Sequence, residues 1–158
     1  LMNLGDTIPN IVLKSTSKDE IIDFDLHKNF KDRHVLMICV PGAYTSTCHN
    51  KHLPPYIEKS NFLKKEKNID DICCVSVNDP YVMQQWSISL KAMGIIFLSD
   101  GNAEFAKEIQ LLKPYKHNLM GMRLKRSVIR IENLIIKKII TDESGLLETS
   151  YEEILKNL

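Results

Sequence analysis

The sequence predicts an α/β fold with a central mixed β-sheet flanked by helices. Three observations carry that expectation. Short β-rich apolar runs at 34–40, 72–77 and 95–98 alternate with segments of helical period, and such a succession implies parallel strands joined by right-handed crossovers. Stop and start signals separate them: Pro41-Gly42, Asn78-Asp79-Pro80, Gly94 and Asp100-Gly101. Both ends of the chain also carry hairpin-like pairs, 11–13 with 21–24 and 127–131 with 134–140, which would add antiparallel strands.

In chain order, Leu4-Gly5-Asp6-Thr7-Ile8-Pro9 reads as an extended lead-in and 15–20 as a polar turn. The strand at 34–40 stops at Pro41-Gly42, and a helix begins near Thr45 or Ser46, either of which can serve as N-cap. Pro54-Pro55 predicts a kink or restart, because each proline removes an N–H and crowds the preceding turn; the helix then runs from Tyr56 to about Lys67. Asn78-Asp79-Pro80 opens a helix whose Val82, Met83, Trp86 and Leu90 recur at core spacing. Another helix follows Asp100-Gly101 through Phe105, Ala106 and Ile109. Residues 113–122, with Pro114 and Gly121, show no period and read as irregular. Ser150 caps a last helix through Tyr151, Ile154, Leu155 and Leu158.

At 158 residues the chain is expected to form a single domain, 1–158, with a core that needs no staples. Its net charge is +1 with both signs interspersed, which points to neither a nucleic-acid nor a membrane-surface partner. No apolar run approaches bilayer-spanning length. The cysteines, Cys39, Cys48, Cys73 and Cys74, have no framework spacing and form no C-x-x-C, so reduced thiols in an intracellular compartment are expected, in the cytoplasm or an organelle. Opening on Leu1-Met2 suggests a trimmed chain, in which any N-terminal targeting segment would be missing.

The predicted helix start puts Cys48 in a first turn, where unpaired N–H groups and the positive end of the dipole favour an anion. Ionisation alone gives little: a free thiol is a few per cent thiolate at neutral pH, so full ionisation raises nucleophile concentration by roughly 30-fold at most. The remainder must come from groups that align substrate and stabilise charge on the leaving atom. Thr45 can place its hydroxyl on the same side of the turn, and the four arginines offer a distant cation. Cys39 reads as a core thiol. Cys73 and Cys74 point to opposite faces of a strand and also read as core, with a redox role for Cys74 as the lesser reading. His52, four residues after Cys48, raises two other chemistries, a Cys/His acyl-transfer pair or half of a zinc site; no second Cys/His pair with suitable spacing completes the latter. His49 reads as solvated surface.

Three ordered segments then carry a resemblance. Pro41-Gly42-Ala43-Tyr44-Thr45 leading to Cys48 and His52-Leu53-Pro54, Val75-Ser76-Val77-Asn78-Asp79-Pro80 with Trp86 downstream, and Arg123-Leu124-Lys125-Arg126 before an apolar strand are together similar to type II peroxiredoxins. The resemblance implies a thioredoxin fold and a thiol-dependent peroxidase acting on hydrogen peroxide and alkyl hydroperoxides. It implies Cys48 as the peroxidatic cysteine, Thr45 and Arg126 as its partners, and Pro41 as a shield, with Arg123 the alternative if the register slips. Gly42, Leu119 and Met120 would lie at the substrate mouth. Metal and organic cofactors are not required, and a homodimer is implied. The resolving cysteine that some relatives carry in a Gly-Leu-x-Cys context has no counterpart in Gly145-Leu146-Leu147-Glu148. A one-cysteine cycle is therefore expected, with an external thiol as reductant: glutathione with glutaredoxin, or thioredoxin. The alternative is a thiol that senses oxidation and switches a partner.

Overall fold

The computed structural model describes residues 2–16 and 19–158; Ser17 and Lys18 of the expected polar turn lie outside them. Strand β1 (Val12–Ser15) pairs antiparallel with β2 (Ile22–Asp25), as the N-terminal hairpin pattern predicts. A short helix α1 (Leu26–Phe30), not foreseen, follows at once, its first turn capped by Asp25, whose carboxylate accepts from Lys28 N–H at 3.0 Å. Strand β3 (His34–Cys39) lies parallel to β4 (Asp71–Ser76), which lies parallel to β5 (Ile96–Ser99). On the other side of β3, β8 (Ser127–Glu132) runs antiparallel and turns back into β9 (Ile135–Thr141) through Asn133 and Leu134, both with left-handed φ. The result is a seven-stranded mixed sheet of order β2-β1-β5-β4-β3-β8-β9.

Burial explains why the central strands are apolar without alternation. Val35, Met37 and Cys39 of β3 pack into one layer with Cys73, Phe30 and Phe105, while Leu36, Ile38 and Val40 pack into the other with Cys74, Tyr56, Met83 and Trp86. Both faces of the sheet are covered, so every position is a core position. The first layer holds α1 and α5 (Glu104–Glu108); the second holds α2 (Leu53–Glu58), α3 (Ser60–Glu66), α4 (Pro80–Ser89) and α6 (Tyr151–Asn157). Helix α4 starts as read: Asp79 accepts from the N–H groups of Tyr81 and Val82 at 2.9 and 3.0 Å, and Pro80 occupies the first turn. Ser150 caps α6.

Two expectations are corrected. Residues 113–122 are not irregular: β6 (Leu112–Tyr115) and β7 (Gly121–Leu124) form a separate two-stranded antiparallel hairpin. Proline 114 hides it from propensity, but in an isolated ribbon one missing N–H is tolerated at an edge. The helix after Pro41-Gly42 also differs. The restart expected at Pro54-Pro55 is present, since α2 begins at Leu53 and both prolines sit in its first turn, where their missing N–H groups are not needed. The irregularity lies one turn earlier, where Cys48–His52 winds as a π-helix closed by Leu53 N–H on the Cys48 carbonyl. A second interruption at Lys59 separates α2 from α3.

Candidate active site

The C-terminal ends of β3 and β4 frame the loop that carries the thiol. Asn78, just past β4, accepts from Ala43 N–H at 2.8 Å and from the Ser76 hydroxyl at 2.9 Å, tying the Pro41–Thr45 segment to the sheet. Gly42 is closely packed: an added Cβ would stand 2.8 Å from Arg123 Nη1 and 3.2 Å from Thr45 Cγ2, so the arginine's tip would have to shift. Arg123 itself spans the loop and the β6–β7 hairpin, donating from Nη1 to Pro41 O at 3.3 Å and from Nε to Met120 O at 2.8 Å. Its role is that of a clamp, and it does not reach the sulfur.

Arg126 does. Buried at the start of β8, it donates from Nη2 to Cys48 Sγ at 3.2 Å and from Nη1 to His52 Nδ1 at 2.7 Å. The histidine's other nitrogen faces the carbonyl of Thr149 at 3.0 Å, which also accepts from Tyr56 OH at 2.8 Å. Because Nδ1 receives a donor, the proton of the neutral ring sits on Nε2. Burial first, and the Arg126 charge second, push the His52 pKa down to about 3, so the ring is neutral and acts as an acceptor. With both nitrogens engaged, His52 is neither a base for Cys48 nor a zinc ligand. The acyl-transfer and zinc readings fall on that geometry.

The Thr149 carbonyl is held in turn by Asp142. This carboxylate accepts from Thr149 Oγ1 at 2.6 Å and from the N–H groups of Leu147, Glu148 and Thr149 at 2.9 to 3.1 Å. Burial raises its pKa, but these hydrogen bonds more than offset burial and the net shift is downward. A buried chain thus runs Asp142, Thr149, His52, Arg126, Cys48. The sequence showed the Cys48–His52 spacing; nothing local signalled a partner about a hundred residues away.

Thr45 Oγ1 donates to Gly42 O at 2.8 Å, which leaves its lone pairs available as acceptors. Next to the thiol's partners, a cleft of about 200 Å³ is lined by Pro41, Thr45, Tyr115, Met120 and Arg126, among others. Cys48 itself is fully buried and is not part of the lining. Tyr115 was not foreseen; burial pushes its hydroxyl pKa up, so it enters the cleft as a neutral donor. Leu119, expected at the mouth, is outside the cleft: it sits at the hairpin tip with left-handed φ and is 95 % exposed. The turn that reverses the β6–β7 chain sends its side chain outward while Met120 lines the cleft. His49 is half-buried, not solvated, and accepts from Trp86 Nε1 at 2.9 Å. Burial holds the thiols of Cys39, Cys73 and Cys74 protonated, their pKa values raised; Cys74 shares Cys48's layer and Cys73 the opposite one.

The Redoxin family matches residues 3–155, and Peroxiredoxin-2C of Oryza sativa subsp. japonica is 35% identical over 158 residues, covering 98% of this chain and 97% of its own. The chain belongs to the peroxiredoxin family. It is a thiol-dependent peroxidase, an oxidoreductase, with the thioredoxin fold of its structural neighbours. Among solved structures, reduced Prx3 of Vibrio vulnificus in complex with H2O2 superposes with a TM-score of 0.93 at 31% identity, over 99% of each chain. The Plasmodium falciparum antioxidant protein, named a 1-Cys peroxiredoxin, does so with a TM-score of 0.93 at 31% identity, over 99% of this peroxiredoxin and 100% of that chain. Among the described residues no helix is long and apolar enough to cross a membrane.

Proposed function

We propose that this peroxiredoxin reduces hydrogen peroxide and alkyl hydroperoxides by a one-cysteine cycle on Cys48, acting as a single domain. The observation that carries the reading is the buried guanidinium of Arg126 on the sulfur at 3.2 Å. Among the described residues Arg126 forms no carboxylate ion pair. A desolvated guanidinium without a carboxylate partner has N–H groups free to meet negative charge that develops beside the sulfur. The thiolate attacks the hydroxyl oxygen of the peroxide in line; the O–O bond breaks, Cys48 becomes a sulfenic acid, and the other oxygen leaves as hydroxide or alkoxide and takes a proton from solvent to give water or alcohol. The Thr45 lone pairs accept a hydrogen bond from the peroxide O–H, and Arg126 donates to the oxygens as charge builds on the leaving one. Backbone N–H groups of Gly42 and Cys48 complete the cradle, with Pro41 and Met120 limiting water. The Vibrio relative is described with H2O2 bound, which supports that substrate class.

Glutathione, delivered with glutaredoxin, or thioredoxin then returns the sulfenic acid to thiol. The absence of any cysteine after Cys74 in these 158 residues supports an external reductant, as does the name of the Plasmodium relative. The resemblance to type II peroxiredoxins supports a homodimer. The cysteine usage supports a reducing intracellular compartment.

Stopped-flow mixing of the reduced protein with hydrogen peroxide and with tert-butyl hydroperoxide tests the reading. Consumption several orders of magnitude faster than a free thiolate, abolished by Cys48→Ser, is the expected result; an ordinary thiolate rate would overturn it. Replacing Cys73 and Cys74 together by alanine, which leaves no buried hydroxyl unpaired, should keep glutathione-dependent turnover within about twofold, since neither buried thiol has reason to ionise. Loss of turnover in that folded variant would put Cys74 in the cycle.

A further inference from the structure

An in-line attack by Cys48 on a hydroperoxide sends the leaving oxygen away from the sulfur, into the cleft that Thr45 and Arg126 line. That oxygen departs as hydroxide or alkoxide, the conjugate base of an acid with a pKa of about 16, so a proton within reach speeds its departure. Few groups around it can give one. The Thr45 proton is committed to the Gly42 carbonyl, and the hydroxyls of Ser46 and Thr47 are no more acidic than the alcohol being formed. Arg126 and the Asn118 amide donate hydrogen bonds but keep their protons.

Tyr115 is the exception. An ordinary phenol is more acidic than an alcohol by about six orders of magnitude. Burial raises the Tyr115 pKa, so the group is protonated at neutral pH; the Arg126 charge and the Arg126 backbone N–H, both near its oxygen, oppose that rise, and the sulfur's charge is felt there as well. The phenol oxygen therefore sits beside the two side chains that meet the peroxide. Its ring is held in place from the hairpin. Lys113 and Tyr115 share one face of β6, and the Lys113 ammonium stands 5.2 Å from the ring centroid while donating to Glu143 O at 2.5 Å. The Tyr115 carbonyl accepts from Met120 N–H at 3.1 Å, which closes the hairpin behind it.

We propose that Tyr115 is the acid that serves the leaving oxygen, giving it first a hydrogen bond and then its phenol proton. The inference rests on the peroxidase reading above. In the step, the sulfur's electron pair forms the S–O bond to the hydroxyl oxygen, and the O–O pair stays with the leaving oxygen. The phenol proton moves to that oxygen, and the phenolate left behind recovers a proton from solvent. The need for the acid grows with the basicity of the leaving oxygen. It is greatest for a tertiary alkoxide, smaller for hydroxide, and absent for a carboxylate, which is stable without a proton at neutral pH.

Tyr115→Phe keeps the ring beside Lys113 and removes only the hydroxyl. Stopped-flow rates with tert-butyl hydroperoxide, hydrogen peroxide and peracetic acid distinguish a proton donor from a residue that only shapes the cleft. With tert-butyl hydroperoxide the variant should be slower than wild type by about 10- to 100-fold, the factor for one lost hydrogen bond to a charged group. The loss should be smaller with hydrogen peroxide, and with peracetic acid, whose leaving group is acetate, the two proteins should agree within twofold. An equal loss with all three peroxides in a variant with native circular dichroism would overturn the proposal, and so would no loss with any of them. Either result with a fast wild type leaves the peroxidase reading standing. If the wild type consumes all three no faster than a free thiolate, the peroxidase reading itself fails and the role of Tyr115 falls with it.

Discussion

Arg126→Ala lowers the second-order rate of peroxide consumption by about 10²- to 10³-fold, the range seen when one preorganised donor to a developing charge is removed. The guanidinium is 7 % exposed, bonded to Cys48 Sγ by Nη2 and to neutral His52 by Nη1. Its fixed fork lets it hold the sulfur and still direct N–H groups at the peroxide. Lysine at this position carries the charge but not the fork, so Arg126→Lys should recover only a small part of the loss. Stopped-flow rates for the two variants check this, and full recovery in the lysine variant would mean that charge alone suffices. Arg123→Ala is the informative contrast. Arg123 holds Pro41 and Met120 and makes no bond to the sulfur, so its loss should act by loosening the loop and be the smaller effect.

The second large effect is on stability against pH. His52 is neutral in the folded protein down to about pH 3, because burial and then Arg126 disfavour its charge. Unfolded, it titrates near 6.5. Between these values the unfolded chain binds the extra proton, so stability falls as pH falls, by up to about 1.4 kcal/mol per pH unit from this group. Above about pH 6.5 its contribution is constant. Denaturant unfolding of wild type and His52→Gln from pH 7 to 4.5 measures it: the wild type should lose several kcal/mol and the variant should show a visibly flatter profile. Equal slopes would mean that the ring is charged in the folded state. Below about pH 4 the Asp142 carboxylate adds to the decline, since its lowered pKa stabilises the fold only while it is ionised.

Much of the architecture was legible because it is written in short-range chemistry. The central strands announce themselves as continuous apolar runs, the start of α4 by Asp79 and Pro80, and the last helix by Ser150. The π-helical turn was not legible, since the same prolines that suggest a kink also suit a helix start, and the choice depends on what Leu53 N–H can reach. The β6–β7 hairpin escaped notice because Pro114 and a polar tip mask a pairing that exists only across the ribbon. At the site, the motifs named Cys48, Thr45 and Arg126, but the spacing of His52 from Cys48 left acyl-transfer and zinc roles open for that histidine.

The sequence by itself determined the layered α/β fold, the family, and a thiol at the mouth of a helix with an arginine at its disposal. Those follow from periodicity, capping and motif, which act over a few residues. Only the tertiary structure decided which arginine meets the sulfur, what orients it, and which hydrophobic residues line the cleft. Arg126 lies 78 positions from Cys48, Thr149 lies 97 from His52, and Leu119 and Met120 are neighbours that part company at a turn. Such partnerships arise from the packing of β8 and the 142–149 loop against the Cys48 turn, where one side chain is desolvated and another is not, and no local pattern encodes that difference.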